Sequence, residues 1–214
     1  MKIYTRKGDD GTTGLLYGGR VSKDALPIEA NGAVDEAQAA LGVARAETEP
    51  GSSLDTEITS LERDLWILMA EVATGAANRS KLTPGVTMVT PEMVIRLEKR
   101  IDELMETFEM PKEFVVPGED RLAALIDVAR VTVRRAERLA LRLATVDPRT
   151  GDPPTLPADS QVGPYLNRLS DLLWAMARAR EAEAGGTLLA RKGPRARRGL
   201  ASRPSSKTIE RDDR

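Results

Sequence analysis

A chain of 214 residues has the length of about one domain, and its 32 Lys+Arg against 33 Asp+Glu, with a sequence pI near 5.8, give no general pull toward nucleic acid or an anionic membrane. The absence of Cys excludes disulfides and thiolate chemistry, and the absence of His removes the usual general base, the commonest zinc ligand and every Ser-His-Asp type triad. No apolar signal region follows Met1 and no apolar run is long enough to span a bilayer, so a soluble, cytoplasmic protein is expected.

From Tyr4 the chain reads "YTRKGDDGTTGL". Its glycines, hydroxyls and exposed amides are what a phosphate chain binds, which makes the stretch a candidate cradle. It is not a Walker loop, because no Lys-Ser/Thr follows the second glycine, and it is neither G-x-G-x-x-G nor an EF-hand loop. On composition alone an ordinary surface hairpin turn is the favoured alternative.

Beyond it, Ala30, Val34, Ala37, Leu41 and Ala44 recur at helical spacing and predict a first helix. Leu54, Ile58, Leu61, Leu65, Leu68 and Val72 predict a second, interrupted by Gly75 and "NRSKLTPG". Thr90 as N-cap and Pro91 in the first turn open a third, with Val94, Leu97, Ile101, Leu104 and Phe108 on its buried face. "FVVPGED" reads as a short extended piece. Leu122, Leu125, Ala129, Val133, Ala136 and Leu143 then predict a fourth helix running to about Val146. After the proline-rich loop "DPRTGDPPTLPADSQVGP", Leu166, Leu169, Leu173, Met176 and Ala177 give a fifth, stopped by Gly185 and Gly186. Five helices without a strand series predict an all-α bundle spanning 1–189. The tail 190–214, with nine basic and three acidic residues, is expected to be disordered.

On the fourth helix Arg130, Arg134 and Arg138 stand at successive i,i+4 positions, and such a face needs anions. Asp127 and Glu137 can take part of that load. The rest suits either a bidentately held polyphosphate or a solvated face neutralised by neighbouring helices. Asn167, in "YLNRLSD", suits a ribose, a base edge or a phosphate, or equally an interhelical hydrogen bond.

Taken in order, "YTRKGDDGTTGL", "RVSKD", "GAVDEAQAALG", "FVVPGE", "VARVTVRRAER" and "YLNRLSD" resemble the PduO-type ATP:cob(I)alamin adenosyltransferases, over nearly everything from Lys2 to about Arg180. The resemblance implies a cobalamin adenosyltransferase-like five-helix bundle of ferritin-like type, assembled as a homotrimer with ATP and cobalamin between subunits. It implies transfer of the 5′-deoxyadenosyl group of ATP to cob(I)alamin, with triphosphate released. The family's nucleotide-binding positions fall on Thr5, Arg6, Lys7, Gly8, Thr13, Gly14, Lys23, Arg134, Arg135, Glu137, Arg138 and Asn167. Asp35 and Arg130 match a salt bridge across the subunit boundary, and Phe114 matches an aromatic beneath the corrin ring, where it would displace the lower axial ligand; simple core packing is its alternative. Magnesium would travel with ATP rather than on protein ligands. Implied partners are a corrinoid reductase and an adenosylcobalamin-dependent enzyme, with no membrane and no specific nucleic acid.

Such chemistry suits a protein without histidine, because a cobalt(I) nucleophile needs no proton removed. The chain departs from most relatives in "VPGED" at Glu119 and Asp120, in Asp127 where His is common, and in "SDLLW" ending at Trp174, all expected on the corrin side. Those departures keep two alternatives in view: a catalytically poor carrier or sensor that binds ATP or adenosylcobalamin, and a helical interaction protein whose arginines are structural.

Overall fold

The computed structural model describes residues 3–191, so the expectation for the basic tail falls almost entirely outside the described residues. Five α-helices follow a short hairpin: α1 Leu26–Arg45, α2 Ser53–Val72, α3 Pro91–Met105, α4 Arg121–Arg142 and α5 Val162–Glu183. Every residue of the first stripe, Ala30, Val34, Ala37, Leu41 and Ala44, is fully buried, as are Leu65, Leu68, Ala129, Val133, Ala136, Leu166, Leu169 and Leu173. The small side chains on α1 and α4 let these two helices pack closely, and α4 packs as extensively against α5. Here the chain's alanine-rich composition becomes bundle geometry.

The helix ends explain the rest. Ser52 caps α2 by accepting from the Asp55 amide at 3.2 Å, and Asp120 caps α4 by accepting from the Ala123 amide at 2.9 Å. Thr90 stands at the N-cap of α3 but makes no side-chain cap bond. The neighbouring Glu92 carboxyl is held below its usual range by its own backbone amide and by the Thr90 hydroxyl. The fourth helix stops at Arg142, short of the expected Val146, because the chain turns there and Leu143 accepts from the amides of Thr155 and Leu156. Gly163 lets α5 start close to that end: a Cβ there would meet Leu141 Cδ2 at 3.0 Å.

The helical bundle carries one small addition ahead of α1. Thr12–Gly14 and Arg20–Ser22 form β1 and β2 of an antiparallel hairpin, in register Thr12↔Ser22, Thr13↔Val21 and Gly14↔Arg20. Its turn needs positive φ at Tyr17, Gly18 and Gly19, which "YGG" supplies at two of three positions without strain. The Leu16 amide donates to Ala73 at 2.8 Å and ties the hairpin to the end of α2. A 3₁₀ helix, Ala76–Lys81, follows. There Glu71, buried at the end of α2, accepts from Arg79, the Val89 amide and Ser160 at 2.7, 2.8 and 3.0 Å, joining three connections.

Tyr165, fully buried on α5, donates to Asp64 at 2.7 Å, and Arg96 pairs with the same carboxylate. Burial, then the Asp64 charge, pushes the phenol well above its ordinary range. A folded-state value raised in this way contributes stability that is full below the unfolded phenol pKa of about 10 and is lost as pH rises beyond it. Tyr165→Phe is therefore expected to cost about 1–3 kcal/mol at pH 7, through the lost bond to a charged acceptor, with a gap that narrows above about pH 10. Urea titrations of both chains at pH 7 and pH 11 check this; a constant gap would mean that the phenol does not titrate with unfolding.

Candidate functional site

The opening stretch leads into the hairpin that was its alternative reading, with β1 at its end. Its ends are pinned by Arg20, absent from the expected site residues, whose Nη2 donates to the Lys7 carbonyl at 2.5 Å and whose Nε donates to Thr12 Oγ1 at 3.0 Å. Thr12 in turn donates through its hydroxyl and amide to Asp10 Oδ1 at 2.8 and 2.9 Å. Those two bonds, with Arg20 nearby, hold the Asp10 carboxyl below the usual carboxylate range. Gly8 lets the loop close tightly: a Cβ there would lie 3.1 Å from the Thr12 carbonyl and 3.2 Å from Lys23 Nζ. Lys23 is thereby laid against the loop, and its amide donates to the Gly11 carbonyl at 2.9 Å.

Thr5 accepts from the Lys7 amide at 3.4 Å, and Arg6, at φ 60, sets its guanidinium 5.7 Å from the Tyr4 ring centroid. A non-glycine residue in the left-handed region marks a backbone held by its surroundings rather than by preference. Thr13 and Gly14 lie on β1. Among the described residues, the ammonium groups of Lys7 and Lys23 make no hydrogen bond or ion pair, so two cations face solvent on the collar that the Gly8 loop forms. Arg20→Ala is expected to leave the melting temperature nearly unchanged and to weaken ATP binding about tenfold, since its exposed charge-assisted bonds to Lys7 and Thr12 hold the collar's edge. An unchanged Mg-ATP-dependent thermal shift would remove Arg20 from the site.

A second group lies on α4 and α5. Arg134 and Arg138 are exposed; Arg138 Nη1 donates to the Arg134 carbonyl at 2.9 Å, while the Arg134 guanidinium has no partner among the described residues. Arg135 pairs with Glu36 on α1. Glu137, considered above as a local counter-ion for the arginines, instead accepts from Asn167 Nδ2 at 3.0 Å, and Asn167 Oδ1 accepts from Arg168 at 2.5 Å. Asn167 thus does make the interhelical bond that was its alternative reading. Asp127 does take up Arg130, whose Nε donates to it at 2.8 Å. Asp35 is exposed and makes no hydrogen bond or ion pair among the described residues.

No hydrogen bond or ion pair among the described residues joins the loop group to the Arg134–Arg138 group. Collar and lysines stand on one part of the chain, guanidinium forks on another.

Phe114 is 88 % exposed, which excludes its alternative as a core residue. Its strap is held by backbone pairing with the end of the described chain: the Val116 amide donates to Leu188 and the Ala190 amide to Phe114, each at 2.8 Å. The ring borders a shallow hollow with Pro111, Lys112 and Ala190. Of the departures, Asp127 is buried inside the bundle, Asp120 caps α4, and Trp174 packs edge-on against Phe108 with centroids 6.1 Å apart. These three have structural partners within the chain, and Glu119 is exposed. A larger cleft of about 610 Å³, with Leu15, Val21, Leu26, Val72 and Leu143 in its lining, lies beneath the hairpin. No helix among the described residues is long and apolar enough to cross a membrane.

Comparison with known proteins agrees with this geometry. The family model described as cobalamin adenosyltransferase matches residues 3–180. A corrinoid adenosyltransferase of Mycobacterium tuberculosis is 38% identical over 192 residues, covering 90% of this chain and 94% of that one. One of Citrobacter freundii is 37% identical over 180 residues, covering 84% and 95%. The solved structure of a phenylalanine-to-alanine variant of the PduO-type ATP:corrinoid adenosyltransferase from Lactobacillus reuteri, complexed with cobalamin and ATP, superposes with TM-score 0.76 at 27% identity, covering 89% of this chain and 100% of that one. An arginine-to-lysine variant of the Lactobacillus reuteri enzyme complexed with ATP gives 0.74 at 27% identity, covering 88% and 100%. With a matching model over most of its length and relatives above 30% identity along nearly all of theirs, the chain belongs to the cobalamin adenosyltransferase family.

Proposed function

We propose that this chain transfers the 5′-deoxyadenosyl group of ATP to cob(I)alamin. Cobalt(I) attacks C5′ in line, the C5′–O5′ bond breaks, and triphosphate leaves with the electron pair. No proton moves, which fits a chain without histidine. The observation that carries the reading is the pair of unsatisfied cationic half-sites, Lys7 and Lys23 on the Gly8 collar and the Arg134 fork on α4. Arg134, Arg138 and Lys23 stabilise the charge that grows on the departing triphosphate, while Thr5, Arg6, Thr13, Gly14, Arg135, Glu137 and Asn167 shape and orient the nucleotide. Phe114 offers its exposed ring to the corrin.

The separation of the two half-sites supports a homotrimer in which one subunit's loop meets its neighbour's α4. Asp35, without a partner among the described residues, and Arg130, whose terminal nitrogens make no hydrogen bond among them, are the pair that would close that boundary. Val43 on α1 and Val128 and Val131 on α4 leave an apolar, exposed face suited to the same contact. Magnesium travels with ATP, carried chiefly by phosphate oxygens and water. Residues 1–189 form the catalytic unit and the tail beyond is an appendage. The enzyme works in the cytoplasm between a corrinoid reductase and an adenosylcobalamin-dependent enzyme.

An anaerobic assay with cob(I)alamin and Mg-ATP tests this, following loss of the cobalt(I) spectrum and formation of adenosylcobalamin and triphosphate. Multiple turnovers are expected. ATP-dependent thermal stabilisation without product would make the protein a carrier or sensor, and no stabilisation at all would make the arginines structural.

A further inference from the structure

The seam between α4 and α5 contains a buried ionic cluster. Arg178 is 2 % exposed, Glu181 0 % and Asp127 4 %. Asp127 divides its two oxygens between two arginines: Oδ1 accepts from Arg130 Nε at 2.8 Å and Oδ2 from Arg178 Nη2 at 2.5 Å. Arg178 also reaches Glu181, with Nη2 donating to Oε1 at 3.3 Å, and its guanidinium lies 5.7 Å from the centroid of the Trp174 ring. Arg178 Nε and Glu181 Oε2 are 3.1 Å apart but too poorly aligned for a hydrogen bond. Two guanidinium groups and two carboxylates leave the cluster neutral when all are charged.

Such a cluster is a poor way to fill a helix seam. Desolvating buried charges cancels much of their mutual attraction, and apolar replacements of similar size are often neutral or stabilising. Burial raises the Glu181 carboxyl against the opposing pull of Arg178 and the Thr187 hydroxyl, with Asp127 and Glu119 adding to the rise, so the cluster carries a cost. What it supplies that leucine would not is a fixed, charged acceptor for Arg130. Arg130 sits at the edge of the cluster, its side chain 23% exposed, and its terminal nitrogens make no hydrogen bond among the described residues. Held by Nε alone, the guanidinium has its orientation set from inside and its fork left open outward.

We infer that Asp127, braced by buried Arg178 and Glu181, is a positioning residue that aims the Arg130 fork out of α4 toward a second copy of the chain. The inference deepens the proposed function and rests on it for its kinetic readout, though not for its assembly readout. Asp127→Asn keeps the shape and an acceptor oxygen but removes the charge. It is expected to lower kcat about tenfold and to raise the subunit dissociation constant in sedimentation by a similar factor. In an Arg130→Ala background the same change is expected to add less than about twofold to either quantity, because coupled residues are not additive. Equal factors in both backgrounds would show that Asp127 acts only on stability and would overturn the role.

Because Asp127→Asn leaves Arg178 buried beside one carboxylate fewer, a second variant guards against simple misfolding. Asp127→Asn/Arg178→Met/Glu181→Gln removes every charge of the cluster except Arg130. It is expected to melt near the wild-type temperature yet keep the tenfold deficits; full activity and wild-type association would overturn the inference. If the wild-type chain associates but makes no product, the functional reading fails and the sedimentation arm alone decides. A wild-type chain that neither turns over nor associates removes both.

Discussion

Replacing Arg134 by alanine is expected to lower kcat by about 10²–10³-fold, the usual consequence of deleting one preorganised donor to developing charge. The melting temperature should move by no more than about 2 °C. This separation follows from the side chain's surroundings: its guanidinium is exposed and has no partner among the described residues, so nothing in the fold depends on it. A structural arginine would behave in the opposite way. Arg178, buried beside Asp127, is the internal comparison, and its removal should act on stability. Arg134→Lys keeps the charge but loses the fork that binds two phosphate oxygens together, and an intermediate rate is expected. Arg138→Ala should be milder than Arg134→Ala, since one of its donors is already given to the Arg134 carbonyl. Steady-state kinetics and melting curves on the same preparations decide: wild-type turnover in Arg134→Ala would end its assignment.

The bundle was legible because its helices are amphipathic with small residues at the contacts. A face such as Ala30, Val34, Ala37, Leu41 and Ala44 has one interpretation, and all five are fully buried. The hairpin was only half legible. Strands of three residues show no alternation, and the turn is written in Tyr17, Gly18 and Gly19 rather than in any hydrophobic pattern. Arg20 was missed because its role is made by bonds to Lys7 and Thr12, thirteen and eight positions away, which no periodicity reveals.

Asp127 shows the same limit more sharply. Its pairing with Arg130, three residues along one helix, could be read from spacing, but Arg178, its partner 51 residues away, could not. Placed on the corrin side by comparison with relatives, Asp127 looked like a departure that threatened activity. Inside the bundle both of its oxygens are taken by arginines. Asp120 likewise has a partner within the chain, as the cap of α4.

Phe114→Ala is expected to slow adenosylation started from cob(II)alamin and a reductant by about tenfold or more, some 1.4 kcal/mol in barrier, while changing the rate from preformed cob(I)alamin by less than about threefold. The ring is exposed and its strap is fixed by main-chain pairing with Leu188 and Ala190, so alanine removes the ring without loosening the backbone that carries it. An unchanged melting temperature is therefore part of the prediction. On the proposed function, an apolar ring beneath the corrin would exclude water and the lower axial ligand and so ease reduction of cobalt(II); once cobalt(I) exists, that assistance would no longer be needed. Replacement by leucine retains bulk and should recover part of the loss. Equal slowing from both starting states would assign Phe114 to binding the corrin rather than to managing its axial ligand, and the exposed ring would then be a contact surface only.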